Sequence, residues 1–271
     1  MSPGDDNGRV TDHPDPDGMP PGVEQHMVQH VRQARLEALL GTVHGTGQVH
    51  LPAWLRPTQG EHRLPVGIAL LLIIALQLRM PDALALPPKW LLPVSELLMF
   101  VLLIVVNPVR INRETTVVRA GGLTLLGAAA LGTGYSAARL VYLLASGQGG
   151  PVVHQPMPLL VNGGSVWLLN IIVFALAYWE FDRGGPAARA NARRPHPDFL
   201  FSQMTAPELT SRDWEPAFVD YLYLSFTNAT AFSPTDTLPL TRWAKLTMMA
   251  QSAISLVTVA LVVARAVNIF T

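Results

Sequence analysis

From residue 64 onward the chain alternates long apolar runs with short polar or proline-bearing breaks. Runs at 64–79, 90–109, 117–146, 159–178 and 244–269 each reach or nearly reach the ~17–25 residues that a membrane-spanning helix needs. Pro81 and the Pro87-Pro88 pair turn the chain after the first run, and Asn107-Pro108 stops the second. The third is rich in small residues (Gly127, Ala128, Ala130, Gly132 and Gly134), a pattern that lets a neighbouring helix approach closely. The fourth ends in Tyr178-Trp179, a pair suited to the membrane interface.

Between the last two runs the character changes. Residues 182–216 form a polar loop carrying Arg183, Arg189, Arg193, Arg194 and Arg212. Residues 217–232 (AFVDYLYLSFTNATAF) are apolar but too short to cross, which predicts a re-entrant half-helix before Pro234 and Pro239 break it. The pattern as a whole predicts an all-α integral membrane protein, five transmembrane helices plus one half-helix before the last span. Ahead of these, 23–63 reads as an amphipathic helix and a juxtamembrane segment, with Val23, Met27, Val31 and Leu39 roughly on one face. His26 and His30 stand one turn apart there, a spacing open to a metal but read as two solvated polar-face histidines. Residues 1–22, dense in Asp and Pro, are expected to be a disordered tail.

Composition agrees with the membrane reading and narrows it. Only 14% of the 271 residues are charged, against about 25% in a soluble domain, and the mean hydropathy is +0.30. Net charge is zero, so no bulk field suggests a nucleic-acid partner. With no cysteine, disulfides, thiolate metal sites and cysteine catalysis are excluded. Only two of the 19 basic residues are lysine (Lys89 and Lys245), and Ala, Gly and Pro are abundant. That bias is read as a GC-rich bacterial genome and hence a bacterial plasma membrane. No P-loop, G-x-S-x-G or H-E-x-x-H motif is present. Neither an enzyme nor a cofactor is expected. Arginines crowd the loops at 110–119 and 183–212, while the opposite side keeps Arg79, Lys89 and, near the end of the last run, Arg265. The positive-inside rule therefore places the N-terminus in the cytoplasm and the C-terminus outside.

Three sets of residues are candidates for function. In the last run Thr247, Gln251, Ser255, Thr258, Val262 and Arg265 fall within an arc of about 80° at 100° per residue. A polar stripe avoids lipid, so it faces a bundle interior or a water-filled path. Glu96 and Arg139 lie inside spans at equal expected depth, roughly 9–10 Å in at 1.5 Å per residue, and are expected to pair. The third set is the stretch from Tyr221 to Lys245, YLYLSFTNATAFSPTDTLPLTRWAK.

That stretch resembles the pore module of tetrameric potassium-type channels, in which a short aromatic-rich pore helix precedes a TVGYGD-type filter, a proline and the inner helix. Ser225, Phe226, Thr230, Asp236, Pro239, Leu240 and Thr241 occupy the corresponding places in unbroken spacing, and the likeness covers 217–271. The layout is also similar to an uncharacterised family of five-span bacterial membrane proteins. The resemblance implies a homotetramer with a central four-fold path, in which Thr230, Ala231, Phe232, Ser233, Pro234, Thr235 and Asp236 form the filter-like turn. It further implies that Thr247, Gln251, Ser255, Thr258 and Arg265 line the path. The filter is degenerate, however. Ser233 and Thr235 replace both glycines, whose backbone angles side-chain-bearing residues rarely adopt, and Pro234 fixes φ near −65°. The expectation is an ion-channel-like pore that passes an inorganic ion or small solute, with selectivity other than for potassium. A non-conducting membrane scaffold derived from a channel fold and a small-solute secondary transporter are the alternatives. N-in topology sets the half-helix on the cytoplasmic side, inverted relative to potassium channels, as in ionotropic glutamate receptors.

Overall fold

The computed structural model describes residues 52–106, 116–230 and 236–270. The tail expected over 1–22, the helix expected over 23–41 with His26 and His30, and positions 231–235 of the expected filter-like turn lie outside the described residues. The described residues all belong to one unit, Leu51–Thr271.

Six main helices follow the apolar pattern: α1 (Leu64–Arg79), α2 (Leu91–Val106), α3 (Thr116–Ser146), α4 (Pro156–Phe181), α5 (Phe218–Thr230) and α6 (Arg242–Phe270). α3, α4 and α6 are long and apolar enough to cross a membrane; α1 and α2 are shorter apolar helices. At 16 residues each, α1 and α2 rise about 24 Å, below the ~30 Å hydrocarbon core. α5 has 13 residues and rises about 20 Å, the length of a half-helix. The architecture is thus of the multi-spanning helical membrane type, with five apolar helices and a half-helix before the last.

α4 is the hub. It packs against α1, α3, α5 and α6, and its middle, Leu169 to Val173, is buried without interruption. α4 and α6 approach closely because a side chain is missing: a Cβ on Gly163 would stand 2.7 Å from Val262 Cγ2. α3 turns Leu125, Ala129, Ser136, Leu140 and Leu143 inward at helical spacing. Of its small residues, Gly132 meets neighbours on α1 and α2, whereas Gly127 and Gly134 have nothing within 4 Å of a notional Cβ. The close-approach face expected from the whole cluster is realised here by Gly132.

The connection from α4 to α5 holds the feature that hydrophobic periodicity did not indicate. After α4 three consecutive residues, Arg183 (φ 54°), Gly184 (φ 85°) and Gly185 (φ 101°), adopt left-handed backbone and reverse the chain. At Gly185 the space is also closed, since a Cβ would lie 2.9 Å from the Glu180 carbonyl oxygen. The segment then contributes strand β1 (Phe199–Phe201), which pairs antiparallel with β2 (Thr237–Pro239), Phe199 opposite Pro239 and Phe201 opposite Thr237. Where an all-α chain was expected, a two-stranded clasp joins the segments on either side of α5. Three-residue strands are too short for an alternating pattern to register.

Candidate functional site

The α4–α5–α6 unit carries the residues singled out at 217–271. α5 lies against both long helices, and its inward face is polar as well as apolar: Phe218, Tyr221, Leu224, Ser225, Asn228 and Ala229 are buried. These polar groups meet Gln251, which is fully buried on α6. The Gln251 Oε1 accepts from the Tyr178 hydroxyl at 2.7 Å and from Asn228 Nδ2 at 2.8 Å. Its Nε2 donates to the Ser225 hydroxyl at 2.6 Å and the Ser225 carbonyl at 3.0 Å. Both acceptor positions and both donor hydrogens of one carboxamide are used, tying together three helices. One turn along, the Ser255 hydroxyl donates to the Ala229 carbonyl at 2.7 Å and accepts from Trp167 Nε1 at 3.0 Å.

Of the two settings expected for the stripe, a bundle interior or a water-filled path, the single subunit supplies the first for its central residues. Gln251, Ser255 and Thr258 are 0%, 1% and 3% exposed inside a single subunit. Thr247 donates to the carbonyls of Trp243 and Ala244 in its own helix. Arg265 donates from Nε to the Val153 carbonyl at 3.0 Å and meets His154 Nδ1 at 2.7 Å. Periodicity showed that the stripe avoids lipid, but a dry interface within the subunit and a wet path leave the same mark on one helix. The face that α6 turns outward is apolar, with Leu246, Met249, Leu256, Val257, Val263 and Val267 exposed.

At the filter-like turn only the flanks are described. Thr230 is exposed, and its hydroxyl donates back to the Phe226 carbonyl at 2.8 Å. Asp236, also exposed, accepts from the Tyr223 hydroxyl at 3.1 Å, which links the two sides of the turn. Phe226 rests edge-on against Trp167, ring centres 6.2 Å apart.

A second buried polar cluster, which the sequence pattern did not indicate, closes the end of the unit where α5 begins. Arg189 and Glu61 form an ion pair at 2.8 Å with side chains 4% and 10% exposed. Arg189 also donates to the carbonyls of Trp179 (2.6 Å) and Asp182 (3.1 Å) and stands over the Tyr221 ring at 5.1 Å. The other oxygen of Glu61 accepts from Trp179 Nε1 at 2.8 Å and from the Phe218 amide at 3.1 Å. A carboxylate there satisfies a free N–H at the α5 N-terminus and suits its dipole. Asp182, fully buried, accepts from the Tyr221 hydroxyl at 2.6 Å and the Asp198 amide at 2.8 Å. Asp198 in turn accepts from the Arg183 amide and from Trp243 Nε1, both at 2.8 Å. Arginines in a polar loop read as solvated, and the carboxylate that pairs with Arg189, Glu61, lies 128 positions away. The one local signal is that Asp182 and Arg183 follow directly on the apolar run of α4.

The two charges within spans have separate partners. Glu96 is 2% exposed and accepts from Gln77 Nε2 at 3.1 Å. Arg139 donates to the Ala83 carbonyl at 3.3 Å and lies over the Tyr142 ring at 5.5 Å. Among the described residues no ion pair joins them. Equal depth on neighbouring helices does not fix the angular position that an ion pair also requires.

Cavities flank α3. One of about 90 Å³ lies among Val66, Phe100, Leu103, Leu125 and Leu176, with Arg63, Arg119 and Glu180 in its wall. Another, about 320 Å³, lies between Gly127, Ala130, Gly134, Asn170 and Ile254. Among the described residues no group of three or more His, Cys, Asp or Glu is placed to hold a metal ion.

Comparison of the chain with known protein families, with curated proteins and with solved structures gives no match in any of the three. The likeness to a potassium-type pore module therefore rests on the residues of 217–271 themselves.

Proposed function

We propose that the chain is a subunit of an ion-channel-like membrane pore, assembled as a tetramer, in which the half-helix α5 and its following turn meet the permeation path. The observation that carries this reading is the mounting of α5. A half-helix joins two long apolar helices and is anchored to both by the Gln251 carboxamide. Its opposite face leaves Tyr223, Phe226 and Thr230 exposed beside Asp236. The buried stripe of α6 is the mount and not the wall of the path. With both filter glycines replaced by Ser233 and Thr235, selectivity for potassium is not expected.

Purified protein in liposomes tests this. Ion flux down an imposed gradient, altered by Asp236→Ala and by Thr230→Ala, is the expected result. Single cysteines at 251, 255 and 258 should stay unreactive toward a water-soluble thiol reagent, since the native chain has no cysteine to obscure the readout. A second reading, a non-conducting scaffold on the same framework, is favoured by one observation: Thr247, Gln251, Ser255 and Arg265 all hydrogen-bond inside the subunit, Thr258 is buried there, and the outward face of α6 is apolar. Absence of flux for any small ion, with the oligomer intact, selects the scaffold.

A further inference from the structure

Glu96 is the one acidic residue buried within α1 to α3, and its surroundings are poor for a negative charge. On α1 it meets Gln77. On α3, Gly132 leaves room for that amide, since a Cβ there would stand 3.1 Å from Gln77 Nε2. Ser136, beside Gln77 in the wall of a small cavity of about 10 Å³, directs its hydroxyl to the Leu84 carbonyl at 2.9 Å. Lys89, in the same wall, pairs with Asp82 at 2.7 Å near the surface. Arg139 uses the Ala83 carbonyl and the Tyr142 ring. On α2 itself Ser95 donates to the Leu92 carbonyl at 2.8 Å. Among the described residues no cation stands within 4 Å of Glu96, and its sole hydrogen bond comes from a neutral amide. An ionised carboxylate taken out of water needs both pairing and several donors, and it is expensive with neither.

A second observation points the same way. Gln77 Oε1 is buried and has no hydrogen-bond partner, an uncommon and costly state for an acceptor. The missing group is a donor. A carboxylate has none to give, whereas a carboxylic acid has one.

We infer that Glu96 is a proton-binding site, its carboxyl held as the neutral acid and closed into a two-bond ring with the Gln77 carboxamide. In that ring Gln77 Nε2 donates to Glu96 Oε1, as observed, and the proton on Glu96 Oε2 is donated to Gln77 Oε1. Releasing the proton to water breaks the second bond, returns Gln77 Oε1 to its orphaned state and leaves a charge in an apolar setting. The inference does not depend on conduction and holds for the pore and the scaffold alike.

Infrared spectroscopy of the full chain in liposomes at neutral pH tests it. Subtracting the spectrum of Glu96→Gln from that of the wild type should reveal one acid carbonyl band. Gln77→Leu should move that band to higher wavenumber, because the carbonyl loses its Nε2 donor. A carboxylate band pair lost in Glu96→Gln, in place of the acid band, overturns the proposal. An acid band unmoved by Gln77→Leu overturns the ring. Should Glu96→Gln fail to fold, the wild type alone decides. Dicyclohexylcarbodiimide adds to the protonated acid, which gives its proton to a carbodiimide nitrogen as the carboxyl oxygen bonds to the central carbon. Mass spectrometry should then place the adduct on Glu96, while exposed carboxylates, ionised at neutral pH, stay unmodified. An acid band that fails to appear in wild-type protein carrying isotope-labelled glutamate refutes the site whatever the variants do.

Discussion

Replacing Gln251 by leucine keeps the bulk of the side chain and removes four hydrogen bonds at once. Not all of the orphaned groups suffer equally. Asn228 Nδ2 keeps the Met248 carbonyl at 3.0 Å, and the Ser225 hydroxyl keeps the Ile171 carbonyl at 2.6 Å. The Tyr178 hydroxyl, on a side chain that is fully buried, loses the short bond to Oε1. A buried polar group left unsatisfied costs ~1–3 kcal/mol. The remaining interhelical bonds contribute about 0.6 kcal/mol each on average in a membrane protein. With part offset by the added apolar contact, Gln251→Leu should destabilise by about 2–4 kcal/mol, a thirtyfold or greater shift in the unfolding equilibrium. Equilibrium unfolding in mixed micelles titrated with dodecyl sulfate reads this out, and Trp167, hydrogen-bonded to Ser255 on α6, is a local fluorescent reporter. Adding Tyr178→Phe to Gln251→Leu removes the orphaned hydroxyl and should restore ~1–2 kcal/mol. The reasoning fails if Gln251→Leu lies within about 0.5 kcal/mol of wild type, or if the double variant is no more stable than the single one.

Arg189→Met strands the Glu61 carboxylate and should destabilise by about 3–5 kcal/mol, while Arg189→Met with Glu61→Leu recovers most of that loss; thermal unfolding in detergent compares the two. Gly163→Val drives a side chain into Val262 and should cost ~1–3 kcal/mol, whereas Gly134→Val, with open space around its Cβ, should stay within ~0.5 kcal/mol in the isolated subunit. Equal losses at the two positions would contradict the close α4–α6 approach. Burial pushes the Glu215 carboxyl above its ordinary value of 4.5 despite the hydrogen bond from Thr58. The folded state then holds that proton more tightly than the unfolded one, so stability falls as pH rises from 4.5 through the raised value. Glu215→Gln should flatten that part of the stability–pH curve, and an unchanged slope would show that another group is responsible.

Lengths and breaks of the helices were legible because apolar runs and prolines are local. The half-helix expected over 217–232 is Phe218–Thr230, and the long third and last spans match within a residue or two. The polar stripe on α6 was legible as a face, yet not as a partner. What Gln251 touches is decided by Tyr178, 73 positions away, and by Ser225 and Asn228 on a different helix. The Glu61–Arg189 pair spans 128 positions. No window along the chain contains both, and each residue alone resembles an ordinary surface charge. Glu96 shows the same limit in reverse. Its location within a span was plain, but its partner proved to be a neutral amide on α1 and not the opposite charge on α3. Opposite charge is the simplest remedy for a buried carboxylate, and loss of the charge is the other.

The clasp between β1 and β2 has a consequence for biogenesis. β2 and Gln251 both follow α5 in the chain, so the half-helix is synthesised before its strand partner and its principal hydrogen-bonding partner. While the ribosome is still making α6, Ser225 and Asn228 lack that acceptor and donor pair, and a stretch of 13 helical residues is too short to be retained across the bilayer alone. α5 therefore gains its strand partner and its carboxamide anchor only once the final helix has been made.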